Sequence, residues 1–365
     1  MPVTRLEALS QTGLTPRYHS ACARSSPPVR SDAEAQRSIT SARGGDDLAQ
    51  ALWYLGAKPV WDKASSRVTG IEILPLAALD RPRIDVTLRI SGLFRDIFEA
   101  QIALFDMAVR RVAALDEPAE DNPLAEARRA GADLARVFGG APGSYGAQAA
   151  DTALDGKWRD RAELGEVYLA AVTHAYGGAE SVQPSEGFRD RVSEADVLVH
   201  SQDDRERDLL DGDGVADFAG GFAAAAALLG NEPELYHLDT SQTASPKARR
   251  IAEEIARVVR GRLTNPRWLS GMLDHGHRGV AEIAQGVDAL YAFAATAGVP
   301  GHLFDATHAA LIADDAIRAA MLQKNPAAAA AIAARLHDAL ARGLWVTRRN
   351  AVDHDLRRLM TEAGR

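Results

Sequence analysis

The chain is poor in the features that most often announce a function, and each absence excludes something. It has one cysteine, Cys22, which rules out an internal disulfide and a thiolate metal cluster. It has no run near the roughly 20 apolar residues of a membrane-spanning helix. Residues 222–229 are too short for that role and the 327–334 tract is alanine-rich. Residues 1–28 lack the apolar core of a secretory signal. Basic charge is in deficit, with 42 Lys and Arg against 50 Asp and Glu and a net charge of −8. That argues against nucleic acid, whose phosphates require a basic surface. These absences predict a protein of the reducing cytoplasm.

Common enzyme signatures are missing as well. No GxxxxGK[ST] loop occurs, so ATP hydrolysis through a P-loop is not expected. Neither a GxSxG elbow nor an HExxH helix is present. The glycines at Gly139, Gly140, Gly143 and Gly146 match a dinucleotide loop only loosely, and Pro142 reads as a tight turn. Asp211-Gly-Asp213-Gly fails as a calcium loop, because Val215 and Phe222 stand where oxygen ligands are needed.

What remains is ordinary globular material, 46% hydrophobic over 365 residues, enough for two or three domains. Residues 1–43 are rich in Ser, Arg, Pro and Ala with little periodicity, and are expected to be poorly ordered. Residues 84–90 alternate, with Ile84, Val86, Leu88 and Ile90 opposite Asp85, Thr87 and Arg89, which predicts a half-buried strand. Ser91-Gly92 breaks it. Asp96 then opens an amphipathic helix with Ile97, Phe98, Ile102, Phe105, Val109 and Val112 on its apolar side. Further strands are expected at Val197–Val199 and Leu235–Leu238. Helix starts are read at Pro246, at Asn265-Pro266 and at Asn325-Pro326, and a helix over Gly279–Ala297 is stopped by Gly298. The expected fold class is α/β and mixed, with βα units in the first half and a largely helical C-terminal third. Its segments are 1–43, an α/β portion over 44–240 and a mainly helical portion over 241–365.

Three clusters have chemical potential. The first is an acidic run of Asp203, Asp204, Glu206, Asp208, Asp211, Asp213 and Asp217, offset by Arg205 and Arg207. It is either a solvated loop or a cation-attracting site. The second is His275-Gly276-His277 with Glu282, either a capping loop or two imidazoles able to reach one borderline metal ion. The third is Arg89 with Arg95 and Asp96 at a strand end, where α/β sheets collect ligands. Those arginines suit bidentate contact with carboxylates, and Arg95-Asp96 equally suits a helix-start ion pair. The tryptophans Trp53, Trp61, Trp158 and Trp268 read as packing.

Several segments resemble, in order, the large subunit of CobN-type cobaltochelatases, relatives of the magnesium chelatase H subunit. They include Gly44-Gly-Asp-Asp-Leu-Ala-Gln-Ala-Leu52, Pro59-Val-Trp-Asp62 and Arg83-Ile-Asp-Val-Thr-Leu-Arg-Ile-Ser-Gly-Leu-Phe-Arg-Asp96. Gln202-Asp-Asp-Arg-Glu206, Asn265-Pro-Arg-Trp268, His275-Gly-His-Arg-Gly279 and Arg342-Gly-Leu-Trp345 continue the likeness. The resemblance implies a subunit that cradles a tetrapyrrole-type ring, hydrogenobyrinic acid a,c-diamide, during Co2+ insertion in cobalamin biosynthesis. ATP would be hydrolysed by AAA+ partner subunits in the cytoplasm, which suits the missing P-loop. Metal insertion needs a base and a weakly holding site beside the ring, and on that chemistry His275, His277 and Glu282 are expected to serve the ring face as ligand or proton acceptor. Asp203, Glu206 and Asp208 would handle the metal, and Arg89 and Arg95 would contact the ring's carboxylates.

The chain departs from the family pattern in length, which implies a C-terminal portion of the subunit, and in residues 1–43, which do not continue it. Glu206-Arg207-Asp208 stands where the family has Glu-His-Asp, and Asp239-Thr-Ser241 replaces Asp-His-Ser. Two alternatives follow: a non-catalytic remnant that binds tetrapyrrole or partner subunits only, or a magnesium chelatase H-type subunit. The paired histidines favour cobalt, because magnesium prefers oxygen ligands.

Overall fold

The computed structural model describes residues 37–42, 45–65, 67–178, 181–212, 214–242 and 245–364. The chain folds as two units. The first comprises residues up to Ala147, Glu166–Arg205 and Ala225–Arg250, and the second Gln148–Gly165, Glu206–Ala224 and Ile251 onward. They are interleaved in sequence, whereas the expected segments divide the chain at residues 43/44 and 240/241.

The first unit holds all ten strands among the described residues: β1 (Arg37–Ala42), β2 (Ala57–Trp61), β3 (Val68–Ile73), β4 (Asp85–Ile90), β5 (Val137–Gly139), β6 (His174–Tyr176), β7 (Val182–Pro184), β8 (Val197–Gln202), β9 (Glu234–Asp239) and β10 (Lys247–Arg250). Eight form one sheet in the order β10-β9-β8-β1-β4-β5-β6-β7, and β2 pairs with β3 separately. The five central strands are parallel, and β6, β7 and β10 join antiparallel at the edges. This is a doubly wound arrangement, in which ligands collect outside the carboxyl ends of the parallel strands.

The segment expected to be poorly ordered contains the central strand. β1 pairs with β4 on one side and β8 on the other. A parallel strand flanked by neighbours on both edges needs no alternation, so periodicity does not reveal it. The rest of the 1–43 expectation, residues 1–36 and Arg43, lies outside the described residues.

β4 carries the predicted alternation, yet it is buried on both faces. Val86, Leu88 and Ile90 enter the core formed with helix α1 (Gly45–Leu55) and helix α3 (Glu99–Ala113). The polar face meets charge instead of water. Asp85 accepts from Arg136 at 2.6 Å and from Arg191 of helix α4 (Gly187–Ser193) at 3.2 Å. Arginine neutralises a carboxylate that would otherwise be prohibitive inside a sheet. Between β4 and α3 lies a short helix α2 (Gly92–Ile97), capped by Ser91 Oγ accepting from Phe94 N at 3.0 Å. The predicted helix from Asp96 is therefore two helices broken at Phe98, and Ile97, placed on the buried side by the pattern, is 50% exposed.

The second unit is helical, with α5 (Ile251–Gly261), α6 (Pro266–Asp274), α7 (His277–Thr296), α8 (Pro326–Ala341) and α9 (Val352–Ala363) as its main elements. Asn265 and Asn325 cap α6 and α8, each with proline at the first helical position, as the sequence predicts. Pro246 does not start a helix. Lys247–Arg250 pair with β9 as an edge strand of the first unit, and α5 begins only at Ile251, where burial of Ile251, Ile255, Val258 and Val259 begins. Among the described residues no helix is long and apolar enough to cross a membrane.

Candidate functional site

The carboxyl ends of β4 and β5 are shaped by Arg95. Its guanidinium grips Asp96 through Nε at 2.6 Å and Nη2 at 3.0 Å. Nη1 donates to the carbonyls of Ala141 at 2.6 Å, Ser144 at 3.1 Å and Gly140 at 3.3 Å, which ties α2 to the turn after β5. Tyr145 lies 5.4 Å from the same guanidinium and donates its hydroxyl to Asp96 at 2.6 Å. Arg95 and then Tyr145 hold the Asp96 carboxyl below its ordinary range, and Asp96 in turn raises Arg95. Gly92 is required here by close approach: a Cβ would stand 2.5 Å from the Ser144 carbonyl.

Beside this corner opens a cleft of about 870 Å³, within the range of small-molecule sites. One wall is a helical stripe of α3, from Glu99 through Ala103 and Met107 to Arg110 and Arg111, at the i, i+4 spacing that puts side chains on one face. Pro142, Tyr176, Gly177, Gly178 and Val182 face it. Both glycines have positive φ, and Gly178 N donates to Asp106 at 3.0 Å, so the opposing backbone is pinned to α3. Asp106 also accepts from Arg110 Nε at 2.8 Å.

The structure sorts the predicted site residues unevenly. Arg95 lines the cleft, but with its guanidinium committed to Asp96 and to carbonyls. Arg89 does not line it: it is 2% exposed, donates to the Ile90 carbonyl at 2.9 Å and lies 5.7 Å from the Tyr168 ring. It faces α4's side of the sheet, opposite α3, because its position alternates with Leu88 and Ile90. Asp203 belongs to the first unit, and Glu206 and Asp208 to the second. Asp208 accepts from Arg262 at 2.7 Å and Asp211 from the same Nη1 at 3.1 Å, so an arginine relieves the repulsion that suggested a cation. Asp213 lies outside the described residues. Among the described residues no three His, Cys, Asp or Glu side chains form a group that would hold a metal ion.

His275 and His277 are exposed at the elbow between α6 and α7, as C-cap of one helix and first residue of the next. Glu282 is drawn to Arg278 at 3.1 Å, one turn back on α7. Of this motif's glycines, Gly276 answers to its positive φ of 63° and Gly279 to packing. A Cβ on Gly279 would fall 1.6 Å from the Met272 carbonyl oxygen, which accepts from His275 N at 3.0 Å.

Sequence reasoning missed two features. The α3 stripe is written in the sequence as the charged and small positions opposite the apolar face. His200 and His237 sit in register on β8 and β9, buried and stacked, with Nδ1 atoms 3.2 Å apart. Each is an isolated histidine in its own strand, so only strand pairing reveals them.

The fold and site define a doubly wound α/β unit with a strand-end cleft, joined in one chain to a helical unit. The chain belongs to the CobN/Magnesium Chelatase family, whose profile matches residues 38–352. It is 47% identical over 342 residues to the aerobic cobaltochelatase subunit CobN of a Sinorhizobium species, covering 88% of this chain and 27% of that protein. Against the chloroplastic magnesium-chelatase subunit ChlH of Oryza sativa it is 32% identical, over 87% of this chain and 24% of the relative. The solved catalytic subunit of cobaltochelatase from Mycobacterium tuberculosis superposes with a TM-score of 0.86 at 35% identity, over 98% of this chain and 31% of that one. The chain thus spans about a quarter of the length of these curated relatives.

Proposed function

We propose that this chain is a ring-binding portion of a CobN-type cobaltochelatase large subunit. In that reading it acts in the cytoplasm in cobalamin biosynthesis, receiving hydrogenobyrinic acid a,c-diamide while Co2+ is inserted and AAA+ partner subunits hydrolyse ATP. The observation that carries it is the 47% identity to a CobN subunit, against 32% to a magnesium-chelatase subunit over a similar share of the chain. The 870 Å³ cleft supplies a mostly apolar space in which a ring edge can lodge.

Metal insertion must displace the inner-ring protons, which calls for a base beside the ring. The exposed imidazoles of His275 and His277 are the proton acceptors in this reading, with Glu282 and Arg278 fixing the start of α7. Attraction of the hydrated cation is assigned in this reading to the acidic run, Asp203, Glu206 and Asp208, the last of which also accepts from Arg262.

The test mixes the purified chain with the ATPase subunits, Co2+, ATP and the a,c-diamide and follows the ring's absorption spectrum, with a full-length subunit as working control. Metallation by this chain supports the reading. A second reading, a binding-only portion without turnover, is favoured by Arg207 and Thr240, which stand where the family pattern has histidines. Ring binding without metallation would select it.

A further inference from the structure

His308 sits in the second unit without the bonds that its burial calls for. It ends the helix Gly301–His308, directly before a π-helical turn, Ala309–Ala313; such turns are rare and frequently mark functional positions. The imidazole is 3% exposed, lies 5.9 Å from the Trp345 ring, and has no hydrogen-bond partner at either nitrogen. Buried polar atoms are nearly always bonded, so this pair requires a reason. The carboxylate it faces is Asp355 of α9, whose Oδ2 stands 3.6 Å from Nε2, just beyond bonding reach. Asp355 is no better served. Arg358 Nη2 is 3.6 Å from it and His354 Nδ1 3.8 Å, and Arg358 Nε is buried without a partner. Among the described residues one carboxylate thus faces three donors and hydrogen-bonds to none of them.

Two further charges face the imidazole, and both are partly committed. Asp305, on the same helix, accepts from Thr347 Oγ1 at 2.6 Å and from Trp345 Nε1 at 3.1 Å. Arg349, from the segment before α9, donates to the Asp305 carbonyl at 3.3 Å. The π-helical turn adds only alanine, leucine and isoleucine. From α8, His337 reaches Asp353 of α9 at 3.2 Å. The apolar face of α9, Val352, Leu356 and Leu359, is buried beside these pairs.

We infer that His308 is an acid-operated release for α9: its uncharged ring lets the last helix pack, and a bound proton drives that helix off. Burial, more than Arg349, holds the imidazole below its ordinary 6.5, and Asp355 and Asp305 oppose this without prevailing. With α9 lifted, the ring meets water and takes its proton near 6.5. A group protonated more readily in the released state than in the packed one favours release as protons become available. Packing of α9 is therefore complete above about pH 6.5 and weakens below it, by up to about tenfold per pH unit for one proton. Arg357 holds Asp353 below its ordinary 3.8, so that carboxylate does not titrate in the same window. The device does not depend on the ring-binding reading.

The test follows amide hydrogen exchange of the full chain by mass spectrometry from about pH 7.5 to 5, corrected for the intrinsic pH dependence of exchange. Peptides from α9 are compared with peptides from α7. In the parent chain, opening of α9 is expected to grow by up to about tenfold per pH unit below 6.5, while α7 stays protected. His308→Phe, an apolar ring of similar size, should leave α9 protected across the whole range. Asp355→Asn removes the main opposing charge, so the onset stays near 6.5 and the growth continues to lower pH than in the parent. His337→Gln and His354→Gln, the other histidines that touch aspartates of α9, should open with the parent's slope.

Protection of α9 that stays level down to pH 5, or that falls as much in His308→Phe as in the parent, would overturn the release. So would tighter packing of α9 in acid, which would mean that protonated His308 closes onto Asp355. If circular dichroism shows that His308→Phe does not fold, Asp355→Asn decides. Growth of opening that continues to lower pH supports the device, and a profile matching the parent's overturns it.

Discussion

Replacing Gly279 by alanine is the sharpest test of how the His275–Gly279 motif is built. The added methyl carbon would lie 1.6 Å from the Met272 carbonyl oxygen and 2.5 Å from its carbon. Both are backbone atoms, and the carbonyl is fixed by accepting from His275 N. No rotamer change relieves such an overlap, so α6 and α7 must separate. Overpacking commonly costs about 1–3 kcal/mol, and a backbone-on-backbone clash belongs at or above the top of that range, near 4 kcal/mol. For a unit of this size that lowers the midpoint of thermal unfolding by about 10 °C. Gly276 offers the comparison. It has φ 63° and ψ −133° but nothing within 4 Å of a built Cβ, so alanine there meets backbone strain alone, about 1–3 kcal/mol. His275→Ala and His277→Ala, at exposed positions, should change stability by no more than about 0.5 kcal/mol. The assay is thermal unfolding by circular dichroism, paired with the cobalt-insertion assay. A Gly279→Ala chain that melts with the parent would refute the packing argument. A His277→Ala chain that loses several kcal/mol would refute the separation of the packing at Gly279 from the exposed imidazoles beside it.

Other outcomes follow from the same geometry. Asp85→Ala leaves the 2%-exposed Arg136 without its carboxylate and should cost about 3–5 kcal/mol, whereas Arg136→Leu leaves Asp85 with Arg191 and should cost less; urea unfolding that ranks them the other way contradicts the ion-pair account of β4. Burial alone would raise Glu117, but Arg83, held to it at 2.7 and 2.8 Å, and Asn122 keep it below its ordinary 4.5. Its contribution to stability is therefore complete above about pH 4.5 and is lost as pH falls through the lower folded value, and Glu117→Gln should flatten that loss in unfolding measured from pH 6 to 3. Arg262→Ala should lower stability by about 1–2 kcal/mol by leaving Asp208 and Asp211 facing each other; rescue of its melting point by millimolar Co2+ would show that the acidic run holds metal after all.

Local chemistry was readable from the sequence, and long-range pairing was not. The asparagine–proline helix starts at Asn265 and Asn325 depend on one side chain and its next neighbours, and they stand where the pattern puts them. The strands at β4, β8 and β9 were visible from their apolar runs. What alternation could not supply was the identity of the second face: at β4 it is an arginine layer and not water. Lys247–Arg250 looked helical because proline and charge mark a helix start as readily as an edge strand, and only pairing with β9 decides. The place of Arg95 beside the cleft is legible from its strand-end position. Arg89 lies off the cleft, because the side of the sheet it faces depends on which helix covers that side. The acidic run suggested a cation because its counter-charge, Arg262, lies more than fifty residues on.

The central place of β1 has a consequence for how the chain is made and how it tolerates trimming. Its neighbours β4 and β8 leave the ribosome long after it does, and β8 lies about 160 residues downstream. One edge of β1 can pair with β4 soon after both emerge, but its other edge must stay open until β8 follows. Loss of Arg37–Ala42 would not shave an edge. It would leave β4 and β8 without the strand that joins them, and the sheet would fall into two halves.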